Sequence, residues 1–232
     1  MRGSTLALLG VGLFGVWASV AVAQVTNKVV DIEINGIHSR IPHAYFRARN
    51  TENGSYYGFA FWLSDGKPPL ASSNLLRDSW PPDPGRLSRS PEDFVVWVTR
   101  ITYLSTEKAD RTCPGGGFRR FDHGFETEAG PGAHGMECRR SVRGNYLSCL
   151  SPPGDEVATW VWSSVMHLPN QSFTAYVFSR GDDNLDLSIH FPTMAWSRWP
   201  EVLCAVLSFT RTWRVDGPAS PNCSTLRLAL MR

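Results

Sequence analysis

Residues 172–215 restrict the fold more than any other stretch, because the spacing of apolar residues changes once within them. Phe173, Ala175 and Val177 alternate with Thr174, Tyr176 and Phe178, the pattern of a strand with one face buried. Gly181-Asp182-Asp183-Asn184 then supplies residues that tolerate turn dihedrals. Leu185, Leu187, Ile189 and Phe191 resume the alternation against Asp186, Ser188 and His190. After Pro192 the spacing becomes helical. Trp199, Val202, Leu203, Val206, Leu207, Phe209 and Trp213 share one wide face, Pro200 fits only a first turn, and Asp216-Gly217 stops the run. A helix that apolar needs a sheet to lie on, and the two strands before it are nearest. The expected fold class is α+β: an antiparallel sheet of several hairpins with a C-terminal amphipathic helix packed on one face.

Arg2, the apolar run 6–22 and Ala21-Val22-Ala23 have the form of an export signal. The glycines at 10, 12 and 15 weigh against a membrane anchor, so the mature chain is expected to start near Gln24. No later run is long and apolar enough to span a bilayer, and a periplasmic or secreted location follows. Residues 24–232 read as one α+β domain, since no repeat or clear linker divides them. Loss of residues 1–23 removes one basic residue, which leaves 22 Lys+Arg against 21 Asp+Glu. That balance argues against nucleic acid as a partner.

Along the chain, 29–34 alternates, Asn35-Gly36 is a hairpin signal, and 37–45 is the expected partner strand. Residues 56–63 form a more continuous apolar strand, expected near the centre of the sheet. The loop 64–91 is proline-rich and cannot join a ladder; a short helical turn is expected at 72–77. The longest strand candidate is 93–104, with Val95, Trp97, Thr99 and Ile101 on one face and Phe94, Val96, Val98 and Arg100 on the other. Residues 112–135 are glycine-rich and without a period, a surface excursion. Strands at 136–140, 146–150 and 158–165, the last with Trp160 and Trp162 on one face, complete the sheet together with the opening hairpin.

All five cysteines lie beyond the leader, and an oxidising compartment favours disulfides. A turn at Arg143-Gly144 would set Cys138 opposite Cys149, although Gly144-Asn145 is an equally valid turn. Cys204 on the helix and Cys223 on the tail are a second expected pair, which leaves Cys113 over.

The residues make a poor case for catalysis. No Gly-x-Ser-x-Gly elbow is present. Ser105-Thr106-Glu107-Lys108 matches Ser-x-x-Lys, yet it lacks the companion motifs and is placed at a strand end rather than opening a buried helix. His134 and Cys138 are four apart, near Asp122-His123, but no metal-binding signature surrounds them. No metal and no cofactor is expected. His190 reads as a solvated strand histidine, and Asp182-Asp183 as turn formers facing water. The stronger candidates are for contact with a protein: Phe118, Arg119, Arg120, Phe121 and His123 on the glycine-rich loop, and Trp80 on the proline-rich one. Aromatic and guanidinium groups on exposed loops are what interfaces use as anchors.

Two blocks carry a family resemblance. Asn35-Gly36-Ile37-His38-Ser39-Arg40-Ile41-Pro42-His43-Ala44-Tyr45 with Phe59-Ala60-Phe61-Trp62-Leu63-Ser64-Asp65-Gly66 opens the chain, and Asp183-Asn184-Leu185-Asp186-Leu187-Ser188-Ile189-His190-Phe191 with the helix at 199–215 closes it. Together they resemble periplasmic immunity proteins of bacterial type VI antibacterial effectors, secreted lipases among them. The resemblance implies a non-enzymatic exported binder that occludes the active site of a toxin enzyme, its protein partner. It carries over no site residue, and the cysteine-rich middle departs from it. Two alternatives stand beside it: a periplasmic hydrolase using His123 or His134, and an envelope protein that binds a ligand or glycan through exposed tryptophan.

Overall fold

The computed structural model describes residues 28–49, 56–69, 92–112, 127–129, 132–142, 146–152, 157–163 and 172–217. The chain opens on a hairpin, β1 (Val29–Ile34) and β2 (Ile37–Pro42), turned by Asn35 and Gly36, both at positive φ. This is the backbone that an Asn-Gly turn favours. A nine-stranded antiparallel sheet follows, built from β3 (Phe46–Arg49), β4 (Tyr57–Trp62), β5 (Val95–Tyr103), β6 (Thr127–Ala129), β7 (Glu137–Ser141), β8 (Leu147–Leu150), β9 (Val157–Ser163), β10 (Ser172–Ser179) and β11 (Leu185–Pro192). Their order across the sheet is β3-β4-β5-β11-β10-β9-β8-β7-β6. Helix α1 (Thr106–Thr112) follows β5, and α2 (Trp199–Trp213) follows β11 through a 3-10 segment, Thr193–Arg198. The fold is α+β, as the alternation at 172–215 requires.

Helix α2 lies on one face of the sheet. Its Trp199, Val202, Leu203, Val206 and Leu207 are buried in one core with Phe173, Ala175, Val177, Leu187, Ile189 and Phe191. Phe209 and Trp213 reach further, to within 4.7 Å of Phe61 and 4.8 Å of Phe59. Each fully buried large side chain contributes about 1.5–3 kcal/mol, so this contact is the main source of stability. Pro200 occupies the first turn, where its missing N–H leaves no hydrogen bond unmade. Thr210, though buried, donates to Val206 O at 2.7 Å.

Four expectations are corrected. The opening hairpin forms its own two-stranded ribbon and is no part of the main sheet, and β2 stops at Pro42, where a turn precedes β3. Strand β4 is second from one edge, not central; its continuous apolar run reflects burial on both faces. Ser105-Thr106-Glu107-Lys108 does open a helix: Lys108 N–H points to Ser105 Oγ at 3.4 Å, a serine cap on an exposed α1. Finally, β5 does not alternate throughout. Ile189 pairs with Val98 but Ser188 with Arg100, so Thr99 is an extra residue in the ladder. Before this bulge Phe94, Val96 and Val98 face α2; after it Ile101 and Tyr103 do. Arg100 is thereby turned to the opposite face. The bulge also brings Val98 O close to β4, where a Cβ on Gly58 would stand 2.6 Å from that oxygen. Only glycine fits there.

The hairpin turn at 180–184 is clamped rather than free. Asp182 is 1% exposed. It receives both ends of the Arg211 guanidinium at 2.7 Å and the Ser179 hydroxyl at 2.6 Å. The reading of Asp182-Asp183 as a solvated pair therefore holds only for Asp183, which takes a hydrogen bond from Arg214.

Candidate functional site

The face of the sheet opposite α2 carries the polar and aromatic residues of the central strands, with Ala60, Trp62, Val95 and Trp97 forming a second buried cluster on it. Period-2 alternation puts Trp160 and Trp162 of β9 there together, as their spacing predicts. Strand pairing then fixes their neighbours. Trp160 is level with Leu150 and Tyr176, and Trp162 with Ser148 and Thr174. Beyond Tyr176 come Ser188 and Arg100, and beyond Thr174 come His190 and Trp97.

The aromatic half is a ladder. Tyr176 stacks on Trp160 at 5.1 Å, Trp160 on Trp162 at 6.3 Å, and Tyr146 lies 6.3 Å from Trp162. Trp160 is buried between its neighbours and anchored by its indole N–H on Ser148 Oγ at 2.8 Å. Trp162 and Tyr176 are half-buried. Flat rings held at neighbouring strand positions stack on apolar or planar groups at small entropic cost.

The polar half is organised around the bulge. Arg100 reaches Asp186 at 3.1 Å. Burial pushes the Asp186 carboxyl above its ordinary range, and the Arg100 charge partly opposes this. Burial lowers His190 below its usual value, so the ring is neutral near pH 7. Its Nδ1 lies 3.2 Å from Thr174 Oγ1. His190 is therefore a packed cross-strand residue and not the solvated one its alternation suggested. Among the described residues, α1 covers one corner of this face through Ala109 on Ala158 and Phe178.

The histidine offered for hydrolysis within the described residues, His134, packs on the 3-10 segment before α2. Its Nε2 lies 2.9 Å from Trp196 O and its ring meets the Trp196 ring edge-on at 4.9 Å. Burial lowers its pKa. Among the described residues no group of three or more His, Cys, Asp and Glu side chains could hold a metal, and Cys138 is committed elsewhere. Cys138 and Cys149 sit directly opposite on β7 and β8 and are bonded. The register matches a turn centred on Arg143-Gly144, which lies outside the described residues. Cys204 is disulfide-bonded; Cys223 and Cys113 fall outside the described residues. So do Trp80, Phe118, Arg119, Arg120, Phe121 and His123.

Sequence reasoning missed Arg100, Asp186, Tyr146 and Tyr176 as neighbours of the tryptophans. Alternation alone places Tyr176 with Trp160 once β9 and β10 are paired. Arg100 had no such signal, because the bulge reverses its side.

No family model matches the chain, and no curated protein matches it. Its fold is similar to a solved structure, an immunity protein of the Stenotrophomonas maltophilia type IV secretion system. The TM-score is 0.52 at 13% identity, over 82% of this chain and 94% of that one. That protein serves a type IV system, whereas the resemblance drawn from the residues was to partners of type VI effectors. At this identity the likeness is one of fold.

Proposed function

We propose that this chain is an exported immunity protein that binds a toxin enzyme and occludes its active site. The observation that carries the reading is the near full-length likeness in fold to an immunity protein. It accords with the export signal expected at 1–23. The type of secretion system that delivers the toxin is no part of the proposal. Removal of the leader after Ala23 would put the mature protein in the periplasm, facing an enzyme delivered from a neighbouring cell.

The contact surface combines the loop candidates Trp80 and 118–123 with the half-buried rings of Trp162 and Tyr176. Interfaces of this kind concentrate their energy in a few aromatic and arginine anchors. The test is co-expression of the chain, with its leader, beside the enzyme encoded by the adjacent gene. Restored growth of cells carrying the toxin in the periplasm, and a complex that survives gel filtration, are expected. Growth arrest that persists with the chain present at equal level would overturn the reading.

A further inference from the structure

Helix α2 is closed even on the side that the sheet does not touch. A helix lying on one sheet face keeps a solvated stripe opposite, yet no residue from Trp199 to Arg211 is exposed. Phe209 and Trp213 mark the flank toward β4, where they also meet Tyr45. Cys204 stands nine positions before Trp213, about two and a half turns. It therefore belongs to the opposite flank, on the side of β10, β9 and β8. Cys204 is 5% exposed. Val161 of β9 and Cys149 of β8, on the same side of the sheet, are also shut off from solvent.

Cys204 is disulfide-bonded, and Cys138 and Cys149 are bonded to each other. With five cysteines in the chain, its partner is Cys113 or Cys223. Cys113 follows directly on Thr112, the last residue of α1. That helix packs through Ala109 on Ala158 and Phe178, a cross-strand pair on the face opposite α2. Packed layers lie about 10 Å apart, so about 20 Å separates the two helices. One peptide step covers only ~3.8 Å, and bridged cysteines hold their Cα atoms about 4.4–6.8 Å apart. Cys113 is out of reach. Cys223 is not: the six residues beyond Gly217 extend to about 20 Å, and the return from Trp213 to Cys204 along the helix is about 14 Å. The residues after Cys223 suit an apolar trough, since Leu226, Leu228 and Leu230 recur at every second position.

We propose that Cys204 and Cys223 form a disulfide that lays the C-terminal tail, residues 218–232, along the outer flank of α2. The two sulfurs bond, and two protons and two electrons pass to a protein disulfide that is thereby reduced to a dithiol. The clamp sets only once the chain is in an oxidising compartment. The outer flank of α2 is then closed to any partner, and Cys113 is the thiol left over. The assignment does not depend on the toxin-binding reading.

Two measurements on the mature chain, purified from the periplasm, test it. Proteolysis without reductant, followed by mass spectrometry, should yield a linked pair of peptides containing Cys204 and Cys223, with Cys113 in no cross-link within the chain. A Cys113–Cys204 pair, or Cys204 recovered as a thiol, would overturn the bond. Hydrogen exchange reads the docking: amides of 224–231 should be protected in the oxidised chain and lose that protection in Cys223→Ser. Exchange of that segment at free-peptide rates in the wild type, or unchanged protection in the variant, would overturn the clamped tail. The wild-type measurements decide even if the variant fails to fold.

Discussion

The two faces of the nine-stranded sheet are both rich in aromatic rings but use them differently. Under α2, Phe59, Phe61, Phe209 and Trp213 interlock through a mixture of stacked, tilted and edge-on contacts. On the opposite face, Trp160, Trp162 and Tyr176 stack in a row interleaved with Ser148, Thr174, Ser188, His190 and the Arg100–Asp186 pair. Close packing without polar atoms maximises burial. A flat row with hydrogen-bonding groups beside it suits contact with another molecule. The first face holds α2, and the second carries the rows of stacked rings and polar groups.

The strongest way to break this distinction is to damage the α2 face. Phe191→Ala should lower stability by about 3–5 kcal/mol through lost transfer energy and a cavity, measured by urea unfolding. Asp182→Ala comes next. It strands the nearly buried Arg211 guanidinium and should remove about 3 kcal/mol, although the residue sits at a hairpin tip that sequence alone would treat as tolerant. Gly58→Ala tests the bulge. With a carbonyl oxygen 2.6 Å from the new Cβ, a loss of about 1–3 kcal/mol is expected, together with displacement of Arg100.

The face opposite α2 should respond in the opposite sense. Tyr176→Ala should cost about 1 kcal/mol of stability yet weaken toxin binding by about thirtyfold, the effect of a hot spot of about 2 kcal/mol. A variant with unchanged affinity would remove this face from the interface. The smallest effect is acid sensitivity. His190 titrates below its ordinary 6.5 because it is buried. The unfolded chain therefore binds the proton first. Stability is full above about pH 6.5, falls as pH drops toward the folded-state value, and then levels off. His134 adds to the same slope. Asp186, shifted upward, acts in the other direction from its ordinary 3.8 upward: the stability it adds at low pH is lost as pH rises through its folded value. His190→Gln should flatten the slope by less than about 1 kcal/mol in urea titrations run at several pH values.

Much of this architecture is legible in the residues wherever period and turn chemistry agree. The β10–β11 hairpin, α2, the Asn35-Gly36 turn and the Cys138–Cys149 register all rest on such agreement. What escaped had no periodic trace. Helix α1 buries only Ala109 among its exposed positions, so it shows no apolar stripe. The bulge at Thr99 is one added residue in an otherwise regular strand, and it inverts every side chain after it. Asp182 looked like a turn former because its arginine partner lies 29 residues on, at the far end of α2. The opening ribbon stands apart from the sheet and bridges Arg214 through Ser39, a contact across most of the chain. The candidate site was half visible: the tryptophan pair could be read, while its charged half depended on the bulge.

The most direct test of the central claim is to titrate the purified mature chain into the enzyme encoded beside it and follow that enzyme's turnover. The account predicts turnover falling to zero at a fixed molar ratio as a complex forms. Full activity at excess of the chain, or a chemical activity of the chain itself abolished by trimming one polar side chain, would contradict it.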